Sequence, residues 1–178
     1  MKKPPEYSLV VFPTPTQIAQ IASYKQLLKE RIKWFNSVDS AAHITIIQFT
    51  DDLELALYID RVRKFCKTSM PQNVTFNSLG EFENAGTLYI APDENSKLYL
   101  DSLITNLHTF LGLPIQKDNV NAHISIGRKI YGERLKAARE FFKNIDIRFQ
   151  FDCDAIHVRK FNGKQYGDII EKISFGTS

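Results

Sequence analysis

Ala42-His43-Ile44-Thr45-Ile46 returns 80 residues later as Ala122-His123-Ile124-Ser125-Ile126. In each stretch a histidine is followed at the second position by a hydroxyl residue, with isoleucines between and after. On a β-strand, residues i and i+2 point to one face. His43 and Thr45 therefore share a face while Ile44 and Ile46 take the other, and His123, Ser125, Ile124 and Ile126 repeat the pattern. The isoleucine face can be buried, which leaves an imidazole beside a hydroxyl on the open face. One such tripeptide carries little weight. Two of only four histidines in near-identical pentapeptides carry much more.

Working outward, the repeat spans nearly the whole chain. Tyr7 to Phe12 reads as a strand broken by Pro13, and Leu88 to Ala91 as a strand broken by Pro92. A helical stretch follows each. Ile18, Ile21, Leu28, Ile32 and Phe35 fall on one face of the first, with Trp34 and Phe35 ending it as core residues. Leu100, Ile104, Leu107 and Leu111 do so in the second, after the cap-rich Asp93-Glu94-Asn95-Ser96. The two histidine strands come next, at 42–49 and 122–129, then shorter helices at 53–67 and 133–143. Extended segments close each half, at 73–90 and 146–175, the latter with a hairpin turn at Phe161-Asn162-Gly163-Lys164. This order predicts one domain built of two repeats, about 7–85 and 86–175, behind a loose tail at 1–6. The expected fold is α+β, two-lobed and pseudo-twofold symmetric, with antiparallel-rich sheets lining a central cleft and helices outside. Symmetry then sets one imidazole on each wall of the groove.

Length and composition fit one domain or two small, intimately packed lobes. The 178 residues are 43% apolar, with 13 Phe and 7 Tyr, enough for a sizeable core. The net charge of +3 permits a phosphate-bearing ligand without requiring one. Cys66 and Cys153 lack metal-type spacing and read as reduced structural thiols in a cytoplasmic protein. Pro4, Pro5 and Glu6 follow Lys2 and Lys3 where a signal peptide would be apolar, and no run is long enough to span a membrane.

Two facing imidazoles suit a reaction that takes one proton and gives another, because histidine titrates near neutrality. Phosphodiester cleavage makes this demand, and its attacking and departing oxygens lie on opposite sides of phosphorus. Thr45 and Ser125 could then donate to the non-bridging oxygens as charge builds there. Zinc chemistry needs three or four His, Cys or carboxylate ligands, and each motif brings one, so neither metal nor cofactor is expected. A Ser125–His123 nucleophile pair is poor geometry, and the first motif has threonine in that place.

The doubled His-hydrophobic-Ser/Thr-hydrophobic motif resembles the two-histidine (2H) phosphoesterases. Within them it is most similar to the 2′-5′ RNA ligase-like proteins, also called RNA 2′,3′-cyclic phosphodiesterases. The resemblance implies a duplicated fold with a central cleft, and metal-independent hydrolysis of a 2′,3′-cyclic phosphate to a 2′-phosphomonoester. It implies His43 and His123 as catalytic residues, with Thr45 and Ser125 as phosphate-binding hydroxyls. Ile126-Gly127-Arg128 matches a motif ending in arginine, which makes Arg128 a candidate phosphate ligand, with Gln48 in its place in the first half. Arg128 lies an odd number of residues from His123, so it reaches the groove only if the strand ends or bends near Gly127. The implied ligand is an RNA terminus or a small nucleotide carrying a cyclic phosphate, acted on by a monomer with no protein partner. Two other readings stand beside it: a nucleotide-binding module without turnover, and the same chemistry on a non-RNA cyclic phosphate metabolite. His108, in a helix with Leu107 and Leu111, and His157, in Ile156-His157-Val158, lack a repeat partner and read as structural. Phe49, Tyr131 and Tyr166 are possible base-stacking residues among which sequence does not choose. The Arg and Lys residues of Arg61-Val62-Arg63-Lys64 read as an exposed helix face.

Overall fold

The computed structural model describes residues 5–50, 55–115 and 120–176, without the side chain of Asp168. The elements run β1 (Tyr7–Val11), α1 (Pro15–Ile32), β2 (Ile44–Phe49), α2 (Leu55–Thr68), β3 (Gln72–Phe82), β4 (Thr87–Pro92), α3 (Glu94–Leu111), β5 (Ile124–Gly127), α4 (Glu133–Phe142), β6 (Phe149–Cys153), β7 (Ala155–Phe161) and β8 (Tyr166–Ser174). The fold is α+β, as the alternation of strand and helix patterns predicts. The expected start of α2 at residues 53 and 54 lies outside the described residues.

Local chemistry accounts for the punctuation. Thr14 caps α1 in a reciprocal box: its hydroxyl accepts from Gln17 N at 3.3 Å, and Gln17 Oε1 accepts from Thr14 N at 3.1 Å. Pro15 follows at a first-turn position where no amide donor is needed. Asp93 plays the equivalent part for α3, accepting from Ser96 N at 2.8 Å. The segment read as one extended stretch at 73–90 is two strands, because Glu83–Ala85 form a short 3-10 turn that Gly86 closes at φ 58°. The hairpin at Asn162 has that side chain accepting from the amides of Lys164 and Gln165, both at 3.0 Å.

Among the described residues eight strands form one sheet in the order β6-β3-β4-β5-β2-β1-β7-β8, every pairing antiparallel. The halves of the sequence exchange strands. β3, from the first half, lies between β4 and β6, while β7 and β8, from the second, extend the sheet beyond β1. Helices mix in the same way, with α1 against α4 and α2 against α3. The two four-stranded halves of the sheet meet where β2 pairs β5, with Ile44 opposite Ile124.

Those two isoleucines are fully buried and sit at the centre of a single core. Around them pack Leu28, Phe35, Ile46, Leu100, Leu107 and Ile126. The aliphatic residues of each repeated pentapeptide thus face inward, as their alternation predicts. Trp34 does not: α1 ends at Ile32, Lys33 turns the chain at φ 68°, and Trp34 is left 59% exposed while Phe35 goes to the core. Residues 1–4 of the expected tail lie outside the described residues, but Pro5 and Glu6 are tied down. Glu6 O accepts from Phe161 N at 2.7 Å, Lys160 pairs with the Glu6 carboxylate at 3.5 Å, and the Tyr166 hydroxyl donates to Pro5 O.

Candidate active site

The pairing of Ile44 with Ile124 decides the site. Extending that antiparallel register by one residue each way sets His43 across from Ser125, and Thr45 across from His123. All four side chains then occupy the face opposite the buried isoleucines, with neighbouring Cβ atoms about 4.5–5.5 Å apart. The structure thus brings the two motifs together on adjoining strands at the middle of one sheet.

Both histidines stand immediately before their strands, are half-buried, and adopt the same pose. His43 Nδ1 lies 2.6 Å from Ala41 O, and His123 Nδ1 lies 2.7 Å from Asn121 O. A carbonyl oxygen only accepts, so each Nδ1 carries the proton and each Nε2 is the free, titrating atom. The repeated backbone fixes ring orientation and tautomer alike.

Arg128 reaches the same place. β5 ends at Gly127, where a Cβ would lie 2.6 Å from Ile130 Cδ1 and 2.8 Å from the Phe35 ring, so packing requires glycine. The chain then leaves the strand, and Arg128 N donates to Asn36 O at 3.0 Å. Arg128 Nε donates to Ser37 Oγ at 2.9 Å, and its two terminal nitrogens have no partner among the described residues. Its charge lowers the pKa of both His43 and His123, which marks it as a neighbour of both. Ser37 holds a left-handed backbone, φ 76°, pinned by this contact and by its own carbonyl. Gln48, the first-half counterpart, is an exposed residue of β2 paired with Ser8.

Two cations that sequence reasoning missed flank His43. Lys25, on α1, is 1% exposed and donates to Ser37 O at 3.0 Å and Ser40 O at 2.8 Å, fastening the loop that leads into β2. Burial, with Arg128 nearby, pulls its pKa down to about 8. Its signal was legible: it interrupts the apolar stripe of Ile21, Leu28 and Ile32. Arg159, on β7, is 3% exposed and lies two residues from His157, with no repeat partner or motif to mark it in the sequence. Desolvation first and then Arg159 push His43 down to about 3, with smaller contributions from Lys25 and Arg128. His123 is lowered by desolvation and by Arg128 alone among cations. The rings of Phe82 and Tyr89 stand 5.3 and 5.0 Å from it.

The remaining sequence candidates sort by burial. Phe49 is core, stacked on Tyr7 at 5.4 Å, and Tyr131 is 53% exposed with its hydroxyl donating to Ala85 O at 3.3 Å. Tyr166 lines a cavity together with Phe12, His157 and Arg159. His108 Nε2 lies 3.2 Å from Ile46 O and ties α3 to β2. Arg63 makes a two-pronged pair with Glu171, both contacts at 2.8 Å, so that helix face is exposed but not free. Among the described residues no group of three or more His, Cys, Asp or Glu side chains could hold a metal ion, and no helix is long and apolar enough to cross a membrane.

Comparison with known proteins follows the same lines. The family described as the 2′-5′ RNA ligase superfamily matches residues 12–165. No curated protein sequence matches the chain. Among solved structures, TT0787 of Thermus thermophilus is similar over 96% of this chain and 98% of its own, at 14% identity and a TM-score of 0.66. E. coli LigT complexed with 3′-AMP is similar over 98% and 100%, at 9% identity and a TM-score of 0.67. Kluyveromyces marxianus Usb1 is similar over 95% and 97%, at 14% identity and a TM-score of 0.56.

Proposed function

The chain belongs to the 2′-5′ RNA ligase superfamily, and from that premise we propose that it is a metal-independent phosphoesterase that opens a 2′,3′-cyclic phosphate to a 2′-phosphomonoester. The observation that carries this reading is the matched pair of imidazoles, each with Nδ1 held by the carbonyl two residues back and Nε2 left free. Simple binding has no need of two proton carriers in one pose. The 3′-AMP held by E. coli LigT supports a nucleotide as ligand.

In this reading the phosphate lies over the β2–β5 pairing, with Thr45, Ser125 and the terminal nitrogens of Arg128 donating to its non-bridging oxygens. A water oxygen attacks phosphorus, one Nε2 takes the water's proton, the bond from phosphorus to the 3′ oxygen breaks, and the other Nε2–H protonates that oxygen. The electrostatics favour His43 as the base and His123 as the acid. Three cations press on His43 and keep it neutral, while His123 faces one. A bound phosphate anion raises both, and the ring with fewer cationic neighbours takes the proton.

The test is turnover of adenosine 2′,3′-cyclic phosphate, with the product resolved by chromatography, with and without excess EDTA. The expected result is 2′-AMP alone, at the same rate with chelator. A protein that binds the nucleotide and never turns it over is a binding module. A rate lost on chelation and restored by a divalent ion gives the chemistry to a metal.

A further inference from the structure

A cavity of about 720 Å³ is lined by Phe12, Ala41, His157, Arg159 and Tyr166 among others, and the Phe12 ring stands 6.4 Å from that of His43. It continues the open face of the sheet. β1 pairs Val10 with Thr45 on one side and with His157 on the other, so Thr45 and His157 share a face. Arg159 lies two residues on from His157 and shares it too. From β2 to β7 is two strand spacings, about 10 Å.

Among the described residues Arg159 has no matching anion. It is 3% exposed, yet among the described residues its only hydrogen bond runs from Nη2 to Ser8 Oγ at 3.2 Å, and Nε has no partner. The rings of Phe12 and Tyr166 lie 5.8 and 5.2 Å from the guanidinium carbon and offset part of the burial. Five donors and a full charge are still held in place with little to satisfy them. Asp39, Asp152 and Asp154 also line the cavity, with Lys172, but all four are exposed rim residues. Asp152 accepts from Asn73 at 2.9 Å and Asp39 from Gln26 at 3.4 Å. Rim charges are screened by solvent, and the one on the cavity floor is not. Exposed carboxylates accept from sugar hydroxyls or base amino groups, so the rim suits a nucleoside and the floor an anion.

We propose that this cavity is a second anion subsite, in which Arg159 receives a phosphoryl group of the substrate other than the one held between the histidines. It rests on the nucleotide reading of the site above. The substrate class is a nucleoside cyclic phosphate that carries a second phosphate, either the internal diester of an oligonucleotide end or a free 5′-phosphate.

Calorimetric binding of 2′-AMP and adenosine 2′,5′-bisphosphate separates this proposal from its premise. The wild-type protein should bind the bisphosphate at least about tenfold more tightly, the size of one charge-assisted contact. Arg159→Met should abolish that preference, read as the ratio of the two affinities in each protein so that the loss of its charge from beside His43 acts on both ligands alike, and Arg159→Lys should restore part of it. KM values for a 5′-phosphorylated cyclic mononucleotide and for a dinucleotide ending in a cyclic phosphate then tell a terminal phosphate from an internal diester. Thermal melting guards against a structural role: a cation awaiting a ligand should leave apo Arg159→Met melting at or above wild type. Equal wild-type affinities for the two ligands overturn the subsite even where cyclic phosphate is turned over. A preference that survives Arg159→Met, or a variant that melts lower with the preference unchanged, also overturns it. Failure to bind either nucleotide, together with no turnover, removes the premise as well.

Discussion

His43 and His123 hold the same pose on the same local backbone, yet they stand in different fields. Each donates from Nδ1 to the carbonyl two residues back, and each precedes a strand whose isoleucines enter the core. Their approaches are fastened with opposite charges. Lys25 of α1 holds the carbonyls before His43, whereas Asp101 of α3 accepts from Ala122 N at 2.9 Å and pairs with Lys97. Arg159 adds a second cation on the His43 side, while Phe82 and Tyr89 pack around His123. The repeated motif copied what the backbone dictates, ring orientation and tautomer. It did not copy the surrounding charges, and those decide which ring stays neutral. Two imidazoles alike in pose become an unequal pair, which is what the proposed acid–base roles require.

The largest effects should come from removing either ring. His43→Ala and His123→Ala should each lower turnover of a cyclic nucleotide by about 10²–10⁴-fold, with far-UV circular dichroism unchanged. The double variant should fall little further, since the pair acts as a unit. A single variant with near-normal activity breaks the comparison at its root.

Arg128 is the neighbour the two histidines share. Arg128→Ala should weaken nucleotide binding by roughly 10–100-fold, the range of a hydrogen bond to a charged group, and Arg128→Lys should recover only part. Gln48→Ala should change KM by less than about twofold, within the range of ordinary surface substitutions. Equal effects at the two positions would mean that the halves are functionally alike.

The unequal fields can also be read from stability. His43 titrates at about 3 in the folded chain and near 6.5 when unfolded. Between those values the unfolded chain binds a proton that the folded chain refuses. Its contribution is therefore complete above about 6.5 and is lost as pH falls toward about 3. His123 and His157 are shifted in the same direction. Urea unfolding over this range should show a shallower loss in His43→Gln than in wild type. An unchanged slope counts against a depressed His43.

Smaller effects test the fastenings. Lys25→Met leaves the carbonyls of Ser37 and Ser40 without a donor and should cost about 1–3 kcal/mol. It also removes a cation from His43, so the acid limb of the rate profile should move up by less than about one pH unit. That limb belongs to the coupled pair. On the other wall, a Cβ at Gly80 would come within 2.4 Å of the Tyr89 ring, which stands 5.0 Å from His123. Gly80→Ala should therefore displace that ring and lower kcat modestly without touching His43, readable as a shift of the His123 imidazole resonances alone.

By itself the sequence determined most of the elements and the repeated motif with its two histidines. The pentapeptides at 42–46 and 122–126 alternate with a period of two, and alternation alone tells which side chains are buried. Pro13 and Pro92, with Thr14 and Asp93 behind them, mark where strands stop and helices begin, because proline geometry and capping are local. The tertiary structure alone decided how the repeats combine. That β3 joins β4 and β7 joins β1 depends on pairings between residues far apart in the chain, which no local pattern encodes. The same holds for charge. Lys25 stood in the apolar stripe of α1 as a readable anomaly, but its partners, the carbonyls of Ser37 and Ser40, belong to a loop. Nothing in the sequence around Arg159 tells that Ser8 of β1, Phe12 and Tyr166 pack against it. A pKa depends on every charge and dipole within reach in space, so the inequality of the two histidines arises only when the fold assembles their neighbours.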